Sequence, residues 1–298
     1  MKEDYMVRGI ALEGSVRILS SRITNTLLEI RRRQDASPTA IAALGRLVCA
    51  AVMMGWDMKV SSGRLTLQVV CDGPLGGMIA DADTQGGVRG YVRNPHVDLP
   101  PNEKGKIDVE RAVGGGELVV IKDYGLREPY LTRVPLVSGG IALDIANYYK
   151  SSEQIPSAVA LGVLVDPKRL IASAGGVIIQ LMPGVSEEFV SHLERGFSKL
   201  GSVSRKLEDG MTPEEIVEEL LGKDASPTWL GHQKVEFRCT CSYEKAESAI
   251  LTLGKDEIKR MIEEGKGEVE CKFCNAKYVF SLEDLKKMLE EVEKDEGV

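Results

Sequence analysis

The sequence predicts an α+β protein in three parts: an N-terminal mixed α/β core domain over residues 1–183, a helical linker over 184–231 and a small C-terminal four-cysteine domain over 232–298. Three observations carry this reading. The first half alternates short, β-branched apolar runs with Gly-rich turns and helical stretches. After Pro183 the pattern becomes helical, polar and amphipathic. Four of the six cysteines fall late, in two tight pairs, FRCTCSYE and ECKFCNAK. At 298 residues and 43% hydrophobic content the chain can hold one large domain and a smaller one. With only 5% aromatic residues, its core must be mostly Val, Ile, Leu, Ala and Met.

RLTLQVVCDG, GVRGYVRN and GELVVIKDYG read as strands, each short and closed by Gly or Asp. SPTAIAALGRLVCAAVMMG reads as a helix with Ser37 as N-cap, Pro38 at the first helical position and Gly55 at its end. IALDIANYYKSSEQIP is a further helix, stopped before Pro156, and LIASAGGVIIQLMPG reads as paired strands around Gly175 and Gly176. In the linker, SEEFVSHLERGFSKL is amphipathic. MTPEEIVEELLG carries a full start signal, with Thr212 as N-cap, Pro213 next and Glu215 closing a capping box. Its Ile216, Leu220 and Leu221 form an apolar stripe. Short isolated helices are marginal in water, so these are expected to need something to lie against. A break follows in GKDASPTWLG. The last part reads as strand VEFRCTCS, helices within YEKAESAILTLGKDEIKRMIEEG, hairpin GEVECKFCNAKYVF and a helix started by Ser281, ending in an acidic tail over 290–298.

The net charge of -7 argues against a dedicated nucleic-acid binder, which carries a basic face for phosphates. MKEDYMVRGI has no apolar signal region, and no window reaches eighteen uninterrupted apolar residues, so neither secretion nor a membrane span is expected. The expected compartment is the cytoplasm, where thiols stay reduced and paired cysteines read first as metal ligands or redox groups.

Cys239 and Cys241 form C-x-C; Cys271 and Cys274 form C-x-x-C. Two clustered pairs separated by a folded insert are a common way to build a tetrahedral, all-thiolate zinc site. Four ordinary buried thiols or an iron–sulfur cluster are the weaker readings, the latter because its ligand spacings usually differ. Four thiolates would close the coordination sphere and leave no position for substrate, so no enzymatic activity is expected. His96 and His192 read as surface residues. His232, the histidine nearest Cys239, reads as a linker residue rather than a spare ligand. Cys49 and Cys71 read as small core residues. GPLGGM and VGGGE read as turns, since neither matches a phosphate-binding motif. Met53, Met54 and Met58 read as core filling, with an adaptable binding surface as the sharper alternative.

The segment 232–298 is small and heavily charged, and a structural zinc supplies about 10–16 kcal/mol of apparent folding energy. Removing the metal should therefore largely unfold it. Oxidation pairing Cys239 with Cys241 and Cys271 with Cys274 would eject the ion, because disulfide sulfur is a poor ligand. A tight C-x-C disulfide would be easily reduced again. On spacing alone, a plain structural zinc and a reversible oxidant sensor both stand.

C-T-C, a long insert, then C-K-F-C at the end of an acidic chain resembles the redox-regulated molecular chaperones of the thirty-three-kilodalton heat-shock family. SPTAIAALGRLVCAAVMMG, CDGPLGGMIADAD, GVRGYVRNP, YYKSSEQIPSAVALGV and GGVIIQLMPG resemble family blocks in the same order, so the resemblance covers nearly the whole chain. It implies an ATP-independent holdase, quiet when reduced and bound to one Zn2+ through Cys239, Cys241, Cys271 and Cys274. Oxidation under unfolding stress would then free the zinc, form two disulfides among these residues, melt the zinc domain and loosen the linker. It further implies homodimers on activation and unfolded or partly unfolded proteins as partners, with no nucleic acid and no membrane. The alternative is a zinc-ribbon nucleic-acid-binding or structural adaptor protein. Against that stand the balance of 12 Lys and Arg to 16 Asp and Glu over residues 232–298, and the few aromatic platforms there, Phe237, Tyr243, Phe273, Tyr278 and Phe280.

Overall fold

Burial alternates along the strands, and this sorts the first part of the chain into two sheets around one apolar helix. The computed structural model describes residues 2–168, 170–222, 225 and 227–295. Its chain divides into two units, Met1–Arg238 and Cys239–Val298. The first contains β1 (Tyr5–Ala11), β2 (Val16–Arg22), α1 (Thr24–Gln34), α2 (Pro38–Trp56), β3 (Arg64–Cys71), β4 (Met78–Asp83), β5 (Gly87–Val92), α3 (Val109–Val113), β6 (Gly116–Asp123) and β7 (Tyr130–Pro135). It continues with α4 (Ala142–Tyr148), a π turn (Tyr149–Glu153), β8 (Ser157–Asp166), β9 (Leu170–Leu181), α5 (Glu187–Leu200), α6 (Val203–Glu208), α7 (Pro213–Leu221), β10 (Thr228–Lys234) and β11 (Glu236–Phe237). The second holds α8 (Tyr243–Leu251), α9 (Lys255–Glu264), the hairpin of β12 (Gly267–Glu270) and β13 (Lys277–Phe280), and α10 (Leu282–Asp295).

The first sheet has the order β10-β1-β2-β9-β8 and is antiparallel throughout; the second runs β11-β5-β4-β3-β6-β7, antiparallel except for the β11–β5 pair. Helix α2 packs on strands of both sheets and forms the centre of the main core. It is long and apolar enough to cross a membrane, but 89% of its most apolar stretch is buried inside the protein. Met53, Met54, Met58 and Cys49 are all buried in this core, as their core reading expects, and Cys71 is half-buried at its edge. Ser37 stands at the N-cap position without making a cap bond. Asp98 instead accepts from the Thr39 N–H at 3.3 Å and the Thr39 hydroxyl at 2.9 Å.

Both faces of the first sheet are buried. Along β2, Leu19 faces the main core, whereas Val16 and Ile18 face a second cluster; along β9, Ala174 and Ile178 face the core, and Val177 and Ile179 the second cluster. That second cluster is completed by Leu193 and Leu200 of α5, Val203 and Leu207 of α6, and Ile216, Val217, Leu220 and Leu221 of α7. Linker helices thus cover the outer face of the first sheet, and the stripe read in the sequence is the buried face of α7. The Thr212 cap is formed as predicted, with Thr212 and Glu215 exchanging bonds of 2.7 and 3.2 Å.

Several readings are corrected. LIASAGGVIIQLMPG is one twelve-residue strand rather than two. Gly175 and Gly176 make no turn but lie opposite Arg22 and Ser21 on one side and Gly162 and Leu161 on the other. Glycine is required at 175 because an added Cβ would come within 2.3 Å of Ser21 O and 2.5 Å of Leu207 Cδ1. TWLG, read as part of a break, begins β10, while residues 223, 224 and 226 of that stretch lie outside the described residues, as does the end of the acidic tail at 296–298. Residues 232–238, read as the start of the C-terminal domain, belong to the first unit, because β10 pairs with β1 and β11 with β5.

Candidate metal centre

Among the described residues the second unit has a small core of six buried side chains, Ala246, Ile250, Ile258, Phe280, Leu285 and Met288. Its helices start as the sequence predicts. Ser242 accepts from Lys245 N at 3.3 Å, and Ser281 and Asp284 cap α10 reciprocally at 2.9 and 3.2 Å. The Tyr243 and Phe280 rings lie 4.6 Å apart.

At one end of this unit Cys239, Cys241, Cys271 and Cys274 converge, with all four sulfurs within 4.8 Å of one another. Cys239 Sγ lies 3.7 Å from Cys271 Sγ, and Cys241 Sγ lies 3.3 Å from Cys274 Sγ. All four are half-buried, and none is joined in a disulfide. The predicted strand through VEFRCTCS ends at Phe237. An extended C-x-C would hold its two Cα atoms about 6.6 Å apart on one face, wider than the spacing of sulfurs that share one ion. Leaving the extended conformation lets the two sulfurs meet.

The C-x-x-C pair sits on the turn of the β12–β13 hairpin. Cys271 N donates to Ala276 O at 2.9 Å and Asn275 N to Cys271 O at 2.8 Å. Asn275 takes the left-handed conformation at φ +58°, which Asn tolerates. Backbone N–H groups of Phe273 and Cys274 face the Cys271 sulfur, and that of Ala276 faces Cys274.

Burial pushes the Cys274 thiol far above its ordinary range, and hydrogen bonds shared with the other sulfurs push it the same way; burial also raises Cys271. Four thiolates at this separation repel one another and need a cation between them. In a tetrahedral zinc–thiolate site, bond lengths near 2.3 Å place sulfurs about 3.8 Å apart, close to the spacing here. The donor set therefore fits zinc, and four protein sulfurs leave no open position.

Sequence reading missed one participant. The Tyr278 hydroxyl donates to Cys241 Sγ at 3.1 Å, and that bond holds its own pKa up at about 12. Only its aromatic character was legible, because the register that aims it at Cys241 is set by the hairpin. The histidines play no part: His96 and His192 are exposed, and His232 stacks on Tyr5 at 4.5 Å within the first unit. Burial raises Cys71 and pushes Cys49 up to about 12, so neither is an activated thiol.

The profile described as Hsp33 protein matches residues 4–281. A "33 kDa chaperonin" of Bacillus velezensis is 47% identical over 97% of this chain and 99% of its own length. One from Acetivibrio thermocellus is 47% identical over 98% of each chain. Among solved structures, the 33 kDa chaperonin (heat shock protein 33 homolog) of Thermotoga maritima superposes with a TM-score of 0.90 at 38% identity, covering 99% of this chain and 100% of that one.

Proposed function

This chain belongs to the Hsp33 family, and from that premise we propose that it is a redox-regulated, ATP-independent holdase. Its reduced, zinc-bound form is quiet, and its oxidised form binds unfolding proteins and keeps them from aggregating. The observation that carries this is the convergence of four thiols, within 4.8 Å of one another, in a unit with only a small core.

Cys239, Cys241, Cys271 and Cys274 would hold the zinc, which when bound supplies a cross-link between the start of the unit and its hairpin. Two sulfurs lose two electrons to form one S–S bond, and a peroxide that accepts them leaves as water. Four sulfurs thus consume two equivalents of peroxide and give two disulfides. Pairing the sulfurs removes the thiolates on which the cross-link depends. The six-residue core cannot then hold the fold alone.

The polypeptide continues from this unit directly into β11 and β10, edge strands of the two sheets of the first unit. Edge strands whose following residues have unfolded fray more easily, and β10 is joined to α7. Loosening of α5–α7 would open the outer face of the first sheet together with the helices' own apolar sides, a large apolar surface of the kind that captures other proteins. The closed sulfur set offers no catalytic position, so the activity is binding. Activated chains are proposed to pair as homodimers, and the site of action is the cytoplasm. The test is aggregation of a thermally unfolding protein, without nucleotide, mixed with this chain before and after peroxide at mild heat. Suppression confined to the treated sample supports the reading, and equal behaviour of both samples sinks it.

A further inference from the structure

Gln180 lies on β9 directly opposite Arg17 of β2 and is 2% exposed, yet neither Nε2 nor Oε1 of its amide has a hydrogen-bond partner among the described residues. A buried amide left unpaired at both ends is strongly unfavourable. Register puts the Arg17 and Gln180 side chains on one face of the sheet, and both residues stand in the wall of a cavity of about 210 Å³. That is far more room than one water needs.

Charge is arranged around this amide. Arg17 Nη2 holds Asp57 Oδ1 and Oδ2 at 2.7 and 2.6 Å, and Lys122 Nζ holds Glu153 Oε1 at 2.6 Å; all four residues line the cavity. These two pairs cancel. Lys59, exposed at the rim, makes no ion pair among the described residues, so the cavity carries one positive charge in excess. Tyr149 completes the wall from the π turn that also carries Glu153, and such turns recur at functional sites. Burial raises Tyr149, as do the neighbouring Asp57 and Glu153, so its hydroxyl stays a donor.

We propose that this cavity is a site for a small carboxylate that also carries an amide or amino group, the free α-amino acids being the class and glutamine the member that fits most completely. Gln180 satisfies both ends of its amide only against a partner that offers an acceptor and a donor side by side, and a carboxamide presents the two in one plane. The ligand's carboxylate answers the excess charge at Lys59. Its ammonium group faces Asp57 and Glu153, whose oxygens keep lone pairs beyond those used by their ion pairs. The walls come from β2 and β9 of the first sheet, β6 of the second and the end of α2, and include neither the linker nor the metal centre. Occupancy therefore stabilises the sheet domain in reduced and oxidised chains alike, and the inference does not depend on the holdase reading.

The test uses the full chain with free L-glutamine as probe, followed by calorimetric titration and by the ε-methyl resonances of methionine-labelled protein. Binding should saturate at one equivalent. It should move the signals of Met54 and Met58, which line the cavity, and leave that of Met288 in the second unit unmoved. Peroxide treatment should leave the affinity within about twofold. Gln180→Met keeps the bulk and removes the amide, and it should bind roughly tenfold more weakly, the effect of losing two hydrogen bonds. Lys59→Ala, at an exposed position, should bind about threefold more weakly and carries the test should Gln180→Met fail to fold. No saturable binding by the wild type, with Met54 and Met58 unmoved, means that ordered water alone serves the amide and overturns the proposal. Binding that is unchanged in every variant that folds, or that moves other methionines instead, places the ligand elsewhere and overturns it as well.

Discussion

The side chain of Leu207 lies over the bare Cα of Gly175, so close that a methyl group there would come within 2.5 Å of Leu207 Cδ1. One glycine in a sheet strand thereby sets how near a linker helix can dock. Gly162 does the same for Ser204 on the neighbouring strand. Resting-state cover is thus a shape match as well as an apolar one, and it can be loosened without touching the metal centre.

Gly162→Val makes use of this. Gly162 lies on β8, an edge strand, and its Cβ would meet the main chain and side chain of Ser204. Overpacking of this kind costs about 1–3 kcal/mol. Amides over 201–213 should exchange about ten times faster or more, and the oxidised protein should become active at a lower temperature. Zinc content should be unchanged. Unaltered exchange would mean that the glycine floor does not control docking.

Much of this arrangement was legible in the sequence, and what was missed has physical causes. The Thr212–Glu215 cap, the helix from Pro38 and the four-cysteine grouping follow from local chemistry at fixed spacing. The break expected at Gly175 and Gly176 fails because those glycines answer to Leu207 and Leu161, residues distant in sequence or on another strand. The unit boundary fell at Arg238 and not before His232, because β10 is fixed by pairing with β1 more than two hundred residues earlier. Tyr278 carries no local signal; its role comes from the register of the hairpin.

Tyr278→Phe removes the hydroxyl that donates to Cys241 Sγ while keeping the ring. Outer-shell hydrogen bonds of this type steady a metal ligand and quiet its sulfur. Zinc affinity should fall about tenfold, and peroxide should oxidise the thiols faster. Competition with a chromophoric chelator measures the first and a thiol titration over time the second. Unchanged values for both would assign the hydroxyl no part in the centre.

Cys274→Ser replaces one sulfur of the set with a poor zinc ligand. Weaker zinc binding should follow, together with an activity that depends less on oxidant, because part of the restraint is already gone. Metal content by emission spectroscopy and aggregation suppression with and without peroxide provide the check. Normal oxidant dependence in this variant would remove the cysteines from the switch.

The most direct measurement of the central claim is protease mapping of the full chain after zinc chelation and complete oxidation, with thiols, released metal and aggregation suppression followed in the same sample. The account predicts loss of the four clustered thiols, new cleavage sites throughout 239–298 and in the linker, an intact sheet domain, and the onset of client protection. A C-terminal unit that stays protease-resistant after that treatment, or protection that begins while metal and thiols remain in place, would contradict it.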